Sequence, residues 1–370
     1  MDEIQFSCVR CGSLISEGDV RWVCACGGLL DLPEPPPFSV SDIDESESGV
    51  WRYAPALPSV ASAERIRLGE QRTPLIWHPA IAAWLKLDYL LPTGSYKDRG
   101  ASVMVSKLRA LGVRSVLDDS SGNAGASLAA YAAAAGLRCV VVVPASNSPG
   151  KLAQIRAYGA ELRPVAGDRE SAVAAALESA RGDLFYASHN WHPAFILGVA
   201  TLGLELFEQF GGRAPHSVIV PAGHGSIVLG LWFAFRALLA GGAVRQLPRI
   251  FAIQSNSRAA LARAWAGDLE DVAAHDAGST IAEGIAAVRP LRGARLLAAL
   301  RETRGAAIAV GEAEIRDAWT DLGRSGFYVE PTSAVAVAGL ARLRRDGHVG
   351  AEDETVLVLT GSGLKTSAAA

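Results

Sequence analysis

From about residue 70 onward, short runs of β-branched residues alternate with segments rich in alanine and leucine. This alternation is typical of a doubly wound α/β fold with mainly parallel sheets. Two runs, 139–143 and 356–359, are almost continuously apolar, as in strands that helices cover on both faces. The pattern predicts strands at 115–121, 139–145, 160–166, 184–188, 217–223, 249–255 and 355–361, and amphipathic packing helices at 312–325 and 333–345.

The size and charge of the chain limit its partners. Half of its 370 residues are apolar, and its formal net charge at pH 7 is -3. Two domains are expected at this length, and neither nucleic acid nor an anionic membrane is expected to bind, so the ligand should be a small molecule. The apolar runs are shorter than a membrane span, and the acidic N-terminus lacks a hydrophobic signal core. We therefore expect a cytoplasmic enzyme.

Four of the five cysteines lie within the first 26 residues, as the pairs Cys8 with Cys11 and Cys24 with Cys26. Two close pairs suit tetrahedral coordination of zinc by thiolates. Residues 1–34 are therefore predicted to form a zinc ribbon, although only one residue separates the second pair. The alternatives are a ribbon that has lost its metal and thiols that merely pack in a hairpin. No catalytic role is expected for these thiols, because no base lies beside them in the sequence.

Residues 33–59 include PEPPP and SVSDIDESESG, which are too polar and proline-rich to bury a core. This segment is predicted to be a linker or a surface wrap. The predicted organisation is a cysteine ribbon at 1–34, a linker and the start of the large domain at 35–94, a small α/β domain at 95–195 and a large α/β domain at 196–370.

Three loops that follow predicted strands carry polar residues, and ligands of parallel sheets bind beyond the carboxyl ends of the strands. One loop contains Ser120–Asn123 and another contains Thr360–Ser362. The third, Gly223–Ser226, is a candidate anion site, because its glycines allow close approach and a helix is predicted to begin at Ser226. It is either such a site or only a tight connection. It is not a dinucleotide fingerprint, because the third glycine is missing.

Lys97 stands in PTGSYKDRG, residues 92–100, between an apolar run and a predicted helix. A lysine at a helix start is usually a solvated surface residue. This one follows a Thr-Gly-Ser turn, in a chain that also offers an anion site and an asparagine-bearing loop. A lysine that forms a Schiff base, together with a phosphate site at a helix N-terminus, is what pyridoxal phosphate requires. The combination predicts that cofactor.

The chain resembles the threonine synthases and their relatives among the fold-type II pyridoxal phosphate enzymes. The resemblance is carried, in this order, by TGSYKDRGA, SSGNAGASLAAYAA, SPGKLAQIRAYGAEL, GSTIAEGIA, EPTSAVAVAGL and LTGSGLK, and by the N-terminal cysteines. It implies two three-layer αβα domains that close on the cofactor, a homodimer, and elimination or replacement chemistry on an amino acid.

The resemblance also implies roles for individual residues. Lys97 would form the Schiff base, Asn123 would bond the phenolic oxygen of the cofactor, and Thr360, or Ser362 as the second candidate, would meet the pyridine nitrogen. The cofactor phosphate would be held by Gly223, His224, Gly225 and Ser226, and the substrate would be bound by Ser95, Ser120, Ser121, Gly122, Asn123 and Ala124.

A hydroxyl partner at the pyridine nitrogen would influence the reaction. A neutral hydroxyl leaves that nitrogen largely unprotonated, so carbanion character stays near the amino acid. This favours loss of a β or γ leaving group over transamination. The amine of Lys97 is the expected proton carrier, because it lies beside the reacting carbon.

Several positions depart from the threonine synthase pattern. This chain has Ser362 where threonine synthases usually have histidine, and Ala124 and Gly125 where they have a Thr-Ser pair. It has Leu197 and Ala200 where relatives often have a glutamate and a lysine, and His224 where they have asparagine.

Three functions therefore stay open. The first is conversion of O-phosphohomoserine to threonine and phosphate. The second is β-elimination or β-replacement on another serine-like or threonine-like amino acid in a specialised pathway. The third is a cofactor-binding or zinc-ribbon interaction protein without turnover.

Five further residues each have two interpretations. Glu283 either faces the cofactor ring or is ordinary turn material. His189 and His192 either line the substrate pocket or serve in capping and packing. Asp98 and Arg99 are either catalytic partners or, as we expect, a local ion pair that fixes the helix start.

Overall fold

The computed structural model describes residues 4–365, except the side chains of Pro149 and Lys151. Within this range the strands are β1 (Gln5–Cys8), β2 (Leu14–Ser16), β3 (Leu30–Asp31), β4 (Leu75–His78), β5 (Ala83–Lys86), β6 (Ser115–Asp118), β7 (Arg138–Pro144), β8 (Glu161–Val165), β9 (Phe185–Tyr186), β10 (Ser217–Pro221), β11 (Arg249–Ser255), β12 (Ala306–Val310) and β13 (Thr355–Val358). The helices are α1 (Lys97–Ala110), α2 (Asn123–Ala135), α3 (Pro149–Ala157), α4 (Arg169–Ser179), α5 (Pro193–Gln209), α6 (Ser226–Ala240), α7 (Ala260–Ala266), α8 (Gly293–Glu302), α9 (Glu312–Arg324) and α10 (Pro331–Arg345). None of the helices in this part of the chain is long and apolar enough to cross a membrane.

The N-terminal cysteine segment forms a three-stranded antiparallel sheet with the order β2-β1-β3. Phe6 and Ile15 are register partners in β1 and β2, and both are buried. At Gly28 an added Cβ would lie 2.5 Å from Cys8 Sγ, so a side chain at this position would displace the sulfur. Only glycine, which has no side chain, allows the backbone to lie this close to the cysteine cluster.

The segment after this sheet is more buried than its composition suggests. Trp51 and Tyr53 lie in a 3-10 helix at Gly49–Ala56, and both side chains are essentially inaccessible to solvent. Trp51 belongs to a small apolar cluster that includes Val103 of α1. The expected surface wrap is therefore wrong for this part of 33–59, because two large aromatic side chains anchor a polar segment to the core.

Strands β6 to β9 form a parallel sheet with the order β8-β7-β6-β9. Successive side chains of β7 point to opposite faces. Val140 and Val142 pack with the helix α4 layer, whereas Val141 and Val143 pack with the helix α2 layer. The prediction that 139–143 is covered on both faces is confirmed.

The second large sheet has six strands in the order β12-β11-β10-β13-β5-β4, all parallel except β4 at the edge. Val218 and Val220 of β10 face the layer of α5 and α6, and Ile219 faces the layer of α10. The molecule thus has the predicted α/β class, with two three-layer αβα units and mainly parallel sheets.

Helix α1, which begins at Lys97, packs very closely against α5. A Cβ added at Gly198 would lie 2.3 Å from the Arg99 carbonyl oxygen, and one added at Gly100 would lie 2.6 Å from the Phe195 ring. Because both contacts exclude larger residues, the start of α1 has a fixed position relative to α5.

A fully buried charge network lies beneath the start of α1. Arg99 donates to Asp88 from Nε at 2.8 Å and to Glu205 from Nη1 at 2.8 Å, and Lys86 also donates to Glu205. Burial alone would raise the pKa of Glu205, but the charges of Arg99 and Lys86 outweigh it and lower that pKa to about 2. Glu205 is therefore ionised, and its buried charge depends on these partners.

The expected local ion pair between Asp98 and Arg99 is wrong. The Asp98 carboxylate accepts hydrogen bonds from the Thr93 backbone N–H, the Thr93 hydroxyl and the Ser127 hydroxyl, each at 2.6 Å. Successive helical residues point in different directions, so the two side chains join separate networks. Asp98 fixes the turn before Lys97, and Arg99 fixes the helix to the large sheet.

Candidate active site

Three separate segments meet beyond the carboxyl end of β13. Backbone hydrogen bonds of 2.9 to 3.0 Å join residues 360–363 both to residues 94–96 and to residues 328–330. The loop before Lys97, the residues before α10 and the polar end of β13 are therefore brought together. The strand ends at Val358 rather than at 361, so strand alternation cannot decide whether Thr360 or Ser362 points into the site.

Lys97 is the first residue of α1 and is half-buried. Its Nζ lies 4.9 Å from the centre of the Tyr96 ring and 5.6 Å from the centre of the Phe195 ring. Within the described residues, no hydrogen bond or carboxylate contact of this Nζ is found. Each of the other lysines with a described side chain has such a partner: Glu205 for Lys86, Glu17 for Lys107 and the Thr93 carbonyl for Lys365.

The Gly223–Ser226 loop joins β10 to the N-terminus of α6. Gly225 is the N-cap and has φ +79°, a left-handed conformation that favours glycine. In residues 4–365 no acceptor is found for the backbone N–H groups of Gly223, His224 and Gly225. These donors and the helix dipole make the loop suitable for an anion.

Tyr96 links the loop before Lys97 to this anion site. Its Oη lies 3.0 Å from the Ser226 Oγ, which belongs to the first residue of α6. The two hydroxyls therefore form a hydrogen bond between the lysine segment and the loop.

Two imidazoles lie beside the lysine, that of the buried His189 and that of the half-buried His224. The rings of His189 and His224 are perpendicular, with centres 6.3 Å apart, and both Nδ1 atoms are buried without a hydrogen-bond partner in the described residues. Burial and the nearby Lys97 charge lower the pKa of His224 to about 3 and that of His189 well below its ordinary value. Both rings are therefore neutral at pH 7 and can exchange hydrogen bonds with a ligand.

His192 has a different role from that of His189. It is the N-cap of α5, and its Nδ1 accepts from Ala194 N at 3.3 Å. Its ring packs on Phe6 and Phe185. The expected capping and packing role is therefore confirmed for this histidine.

The loop after β6 presents the predicted substrate residues. Asn123, the first residue of α2, is half-buried, and its Nδ2 donates to Glu330 Oε2 at 2.9 Å. Ser121 is half-buried and Gly122 is exposed, whereas the side chains that flank them, Ser120 and Ala124, are buried. At Gly125 an added Cβ would lie 1.8 Å from the Ser120 carbonyl oxygen, so this backbone excludes a serine there.

Glu330 is a site residue that the sequence reasoning missed. Besides bonding Asn123, its carboxylate lies against Gly361, where an added Cβ would be 2.3 Å from it. Burial raises the pKa of Glu330 above its ordinary value, although the hydrogen bond from Asn123 opposes the shift. Glu330 is the first residue of the EPTSAVAVAGL motif. Its role in the site is not evident from the sequence, because a glutamate before the first proline of a helix is also an ordinary helix-capping residue.

Thr360 and Ser362 have unequal surroundings. The Thr360 hydroxyl lies 3.3 Å from the Ser333 Oγ, and Ser333 also receives the backbone N–H groups of Thr360 and Gly361 at 2.9 and 3.0 Å. Ser362 Oγ accepts only from Leu364 N, at 3.3 Å, in the described part of the chain. Ser333 was also missed by the sequence reasoning, and it holds the end of β13 in place.

Glu283 lies at the edge of this site rather than inside it. It is exposed, in a short 3-10 helix at Glu283–Ile285. The backbone of this turn touches the anion loop, since a Cβ added at Gly223 would lie 3.1 Å from Ile285 Cα. Glu283 thus borders the anion loop, and its role toward the cofactor ring stays a prediction.

The four N-terminal cysteines form a second candidate site. Their sulfur atoms all lie within 4.8 Å of one another. The Sγ–Sγ distances are 3.5 Å for Cys8 and Cys26, 3.5 Å for Cys11 and Cys26, and 3.7 Å for Cys11 and Cys24. A tetrahedron of sulfurs about 2.3 Å from a zinc ion has edges of about 3.8 Å, so the cluster has the dimensions of a zinc site.

Comparison with known proteins identifies the class. The model of the family described as pyridoxal-phosphate dependent enzyme matches residues 66–361, so the chain belongs to that family. It is 33% identical to threonine synthase of Methanocaldococcus jannaschii over 377 residues, covering 98% of this chain and 93% of that protein. It is 31% identical to threonine synthase of Methanosarcina acetivorans, covering 97% and 91%.

Solved structures support the fold. The processed form of threonine deaminase isoform 2 from Solanum lycopersicum aligns with a TM-score of 0.71 at 20% identity, covering 90% of this chain and 95% of that one. Maize serine racemase aligns with a TM-score of 0.68 at 22% identity, covering 79% and 88%. The protein is a pyridoxal phosphate-dependent lyase of the threonine synthase-like type, with the fold-type II architecture.

Proposed function

We propose that the protein is a threonine synthase, which converts O-phosphohomoserine and water to threonine and inorganic phosphate. The observation that carries the proposal is the near full-length match to proteins of that name, combined with the Lys97 amine beside the point where the three segments meet. In residues 4–365 this amine has no hydrogen-bond or carboxylate partner. The carbon–oxygen bond to the phosphate breaks at Cγ, and the hydroxyl of water is added at Cβ.

The buried polar groups of the site fit the cofactor. The backbone N–H groups of Gly223, His224 and Gly225, which have no acceptor in the described residues, lie at the N-terminus of α6 and suit its phosphate. The half-buried Asn123 amide suits its phenolic oxygen, and the hydroxyl of Thr360 or Ser362 suits its pyridine nitrogen. When bound, pyridoxal phosphate withdraws electrons from the carbons of an attached amino acid, which makes their protons acidic.

The residues of the chain would supply positioning and proton transfer. Lys97 Nζ, between the rings of Tyr96 and Phe195, would hold the proton that moves to and from the substrate carbons. Glu330 would fix the amide of Asn123 through the 2.9 Å hydrogen bond. The loop at Ser120–Ala124 would receive the substrate carboxylate at the N-terminus of α2.

A second candidate function is β-elimination or β-replacement on a serine-like or threonine-like amino acid. The observation that favours it is the apolar burial of Leu197 and Ala200, together with the absence of room for a side chain at Gly125. A phosphate group on the substrate would need charged or hydroxyl partners, and these positions provide none. The third alternative, a cofactor-binding protein without turnover, is disfavoured because Lys97 and Asn123 are both present.

The test is a comparison of substrates with the cofactor-loaded protein. O-phosphohomoserine should release equimolar phosphate and threonine, and the variant Lys97→Ala should release neither. Ammonia and a keto acid from serine or threonine, without phosphate release from O-phosphohomoserine, would select the second function. Spectral binding of the cofactor without any response to these amino acids would select the third.

Four further features belong to this proposal. Cys8, Cys11, Cys24 and Cys26 would bind one structural zinc ion, which the sulfur distances support. The small domain at 95–195 would close on the large domain at 196–370 and exclude water from the site. A homodimer, which the family resemblance implies, and a cytoplasmic location stay predictions.

A further inference from the structure

Arg292 lies between the cysteine sheet and the wall of the candidate active site. Its side chain is buried, and its guanidinium donates to three backbone carbonyls. Nη1 bonds the Asn190 oxygen at 2.5 Å, and Nη2 bonds the oxygens of Trp191 at 2.9 Å and Leu30 at 2.5 Å. Nε lies 3.6 Å from the Asp31 carboxylate. One side chain thus joins β3 to the segment before α5.

The segment that Arg292 holds also forms part of the cofactor cleft. Residues 188–192 turn sharply between β9 and α5, with the N–H groups of Trp191 and His192 both bonded to the Ser188 oxygen. His189 lies in this turn and faces His224 and Phe195, with ring centres 6.3 and 5.7 Å apart. In the described part of the chain its Nδ1 has no hydrogen-bond partner, and the position of this atom depends on the backbone that Arg292 fixes.

The cysteine sheet supports the same segment with aromatic side chains. Trp22, in the loop that leads to Cys24, packs edge-on against Tyr186 at 5.0 Å and against Trp191 at 5.3 Å. Phe6 packs edge-on against His192 at 6.2 Å. One face of the segment thus packs on the sheet, and the other lines the cleft.

A guanidinium suits this place because its rigid planar fork reaches acceptors in two directions. Burial lowers the pKa of Arg292 to about 10, so the group remains charged at neutral pH. Hydrogen bonds from a charged donor are stronger than those between neutral groups. Loss of the side chain would leave the carbonyls of Asn190 and Leu30 without this donor.

We propose that Arg292 is a positioning residue for the cofactor cleft, and that the cysteine sheet, through Arg292 and Trp22, holds the His189 segment in its binding conformation. The affinity for the cofactor would then depend on an intact cysteine cluster, because the sheet that carries this cluster supports the His189 segment. The proposal rests on the cofactor site described under the proposed function.

The test measures the Kd for pyridoxal phosphate by cofactor absorbance and fluorescence. We expect Arg292→Ala to raise the Kd at least about tenfold, which corresponds to about 1.4 kcal/mol. Millimolar guanidinium should restore affinity by occupying the space of the lost side chain, and sodium chloride at equal ionic strength should not. Arg289→Ala is the matched control, because Arg289 is exposed and pairs only with the exposed Asp271 in the described residues; its Kd should equal that of the wild type.

Two further variants keep the proposal testable if Arg292→Ala does not fold. Arg292→Lys keeps the charge but not the fork, so its Kd should lie between those of the wild type and Arg292→Ala. Cys11→Ser, at an exposed position of the cysteine cluster, should lower zinc content and raise the Kd together.

The outcomes separate the two proposals. A wild-type protein that binds no pyridoxal phosphate would overturn the proposed function. A wild type that binds it, with an unchanged Kd in Arg292→Lys and Cys11→Ser, would overturn only the positioning role. A raised Kd in Arg292→Ala that guanidinium fails to lower would also contradict that role and indicate general destabilisation.

Discussion

Gly225 is predicted to be essential for the anion loop, and the chain provides a matched control for it. Gly225 precedes α6 with φ +79°, and Gly242 follows the same helix with φ +69°. A Cβ added at Gly225 would lie 2.3 Å from Leu296 Cδ2, whereas one added at Gly242 would meet no atom within 4 Å. Alanine at either position is strained by the left-handed backbone conformation, but only alanine at 225 also displaces a core leucine.

The expected losses of stability follow from the conformational penalty and from the displacement of Leu296. The left-handed conformation costs a non-glycine residue about 1–2 kcal/mol, so Gly242→Ala should lower the free energy of unfolding by that amount. Displacement of Leu296 adds about 1–3 kcal/mol, so Gly225→Ala should lower it by about 2–5 kcal/mol. A hydrogen bond to a charged group contributes about 1.5–3 kcal/mol, so loss of one loop donor should raise the cofactor Kd about ten- to a hundredfold.

The assays are urea denaturation of the cofactor-free protein and a pyridoxal phosphate titration of each variant. Gly242→Ala should bind the cofactor as the wild type does. If Gly225→Ala retained the wild-type Kd, the loop would not hold the cofactor phosphate. Equal destabilisation by the two variants would show that Leu296 yields without cost, which would refute the steric part of the reasoning.

Three other predictions test the surroundings of Lys97. Tyr96→Phe removes the hydroxyl 3.0 Å from Ser226 and should raise the cofactor Kd about two- to tenfold. Unchanged affinity would place Tyr96 outside the site. Arg99→Met leaves the buried Asp88 without its ion-pair partner and leaves Glu205 with Lys86 alone, so it should lower the free energy of unfolding by about 3–5 kcal/mol in urea. The exposed Arg213→Met should cost less than about 1 kcal/mol. Burial raises the pKa of Asp98 from 3.8 to about 6, so the free energy of unfolding should fall as pH rises through this window, because the unfolded chain releases the proton first. Asp98→Asn should flatten that part of the pH profile, and an unaltered slope would contradict the shift.

The sequence reasoning located the strand starts better than the strand ends. The starts at 115, 217, 249 and 355 agree with the structure, because apolar β-branched runs mark buried parallel strands. Six of the seven ends were placed one to three residues too late, whereas the end of 249–255 agrees with the structure. At 121, 223 and 361 the polar residues that follow the strand belong to loops of the candidate site rather than to the sheet. Strand β12, AAIAV, was missed because its alanines read as helix, and the β4–β5 hairpin was missed because its strands are short.

Residues with a local signature were found more readily than residues with distant partners. Lys97 and Gly223–Ser226 could be proposed as site residues because a lysine turn and a glycine-rich helix start are visible in a few residues. Glu330 was missed because its partner Asn123 is 207 positions away and only the fold brings them together. Arg292 was missed for the same reason, since its acceptors lie on two segments that are remote in sequence.

The central claim is that Lys97 is the residue that binds pyridoxal phosphate, and the most direct test is borohydride reduction of the cofactor-loaded protein followed by peptide mass spectrometry. Reduction makes the lysine–cofactor bond permanent. The chain has five lysines, at positions 86, 97, 107, 151 and 365, and peptide mass spectrometry can distinguish the peptides that contain them. We expect the pyridoxyl group on the peptide that contains Lys97, and on no other peptide. A pyridoxyl group on another lysine, or none after loading with excess cofactor, would contradict the account.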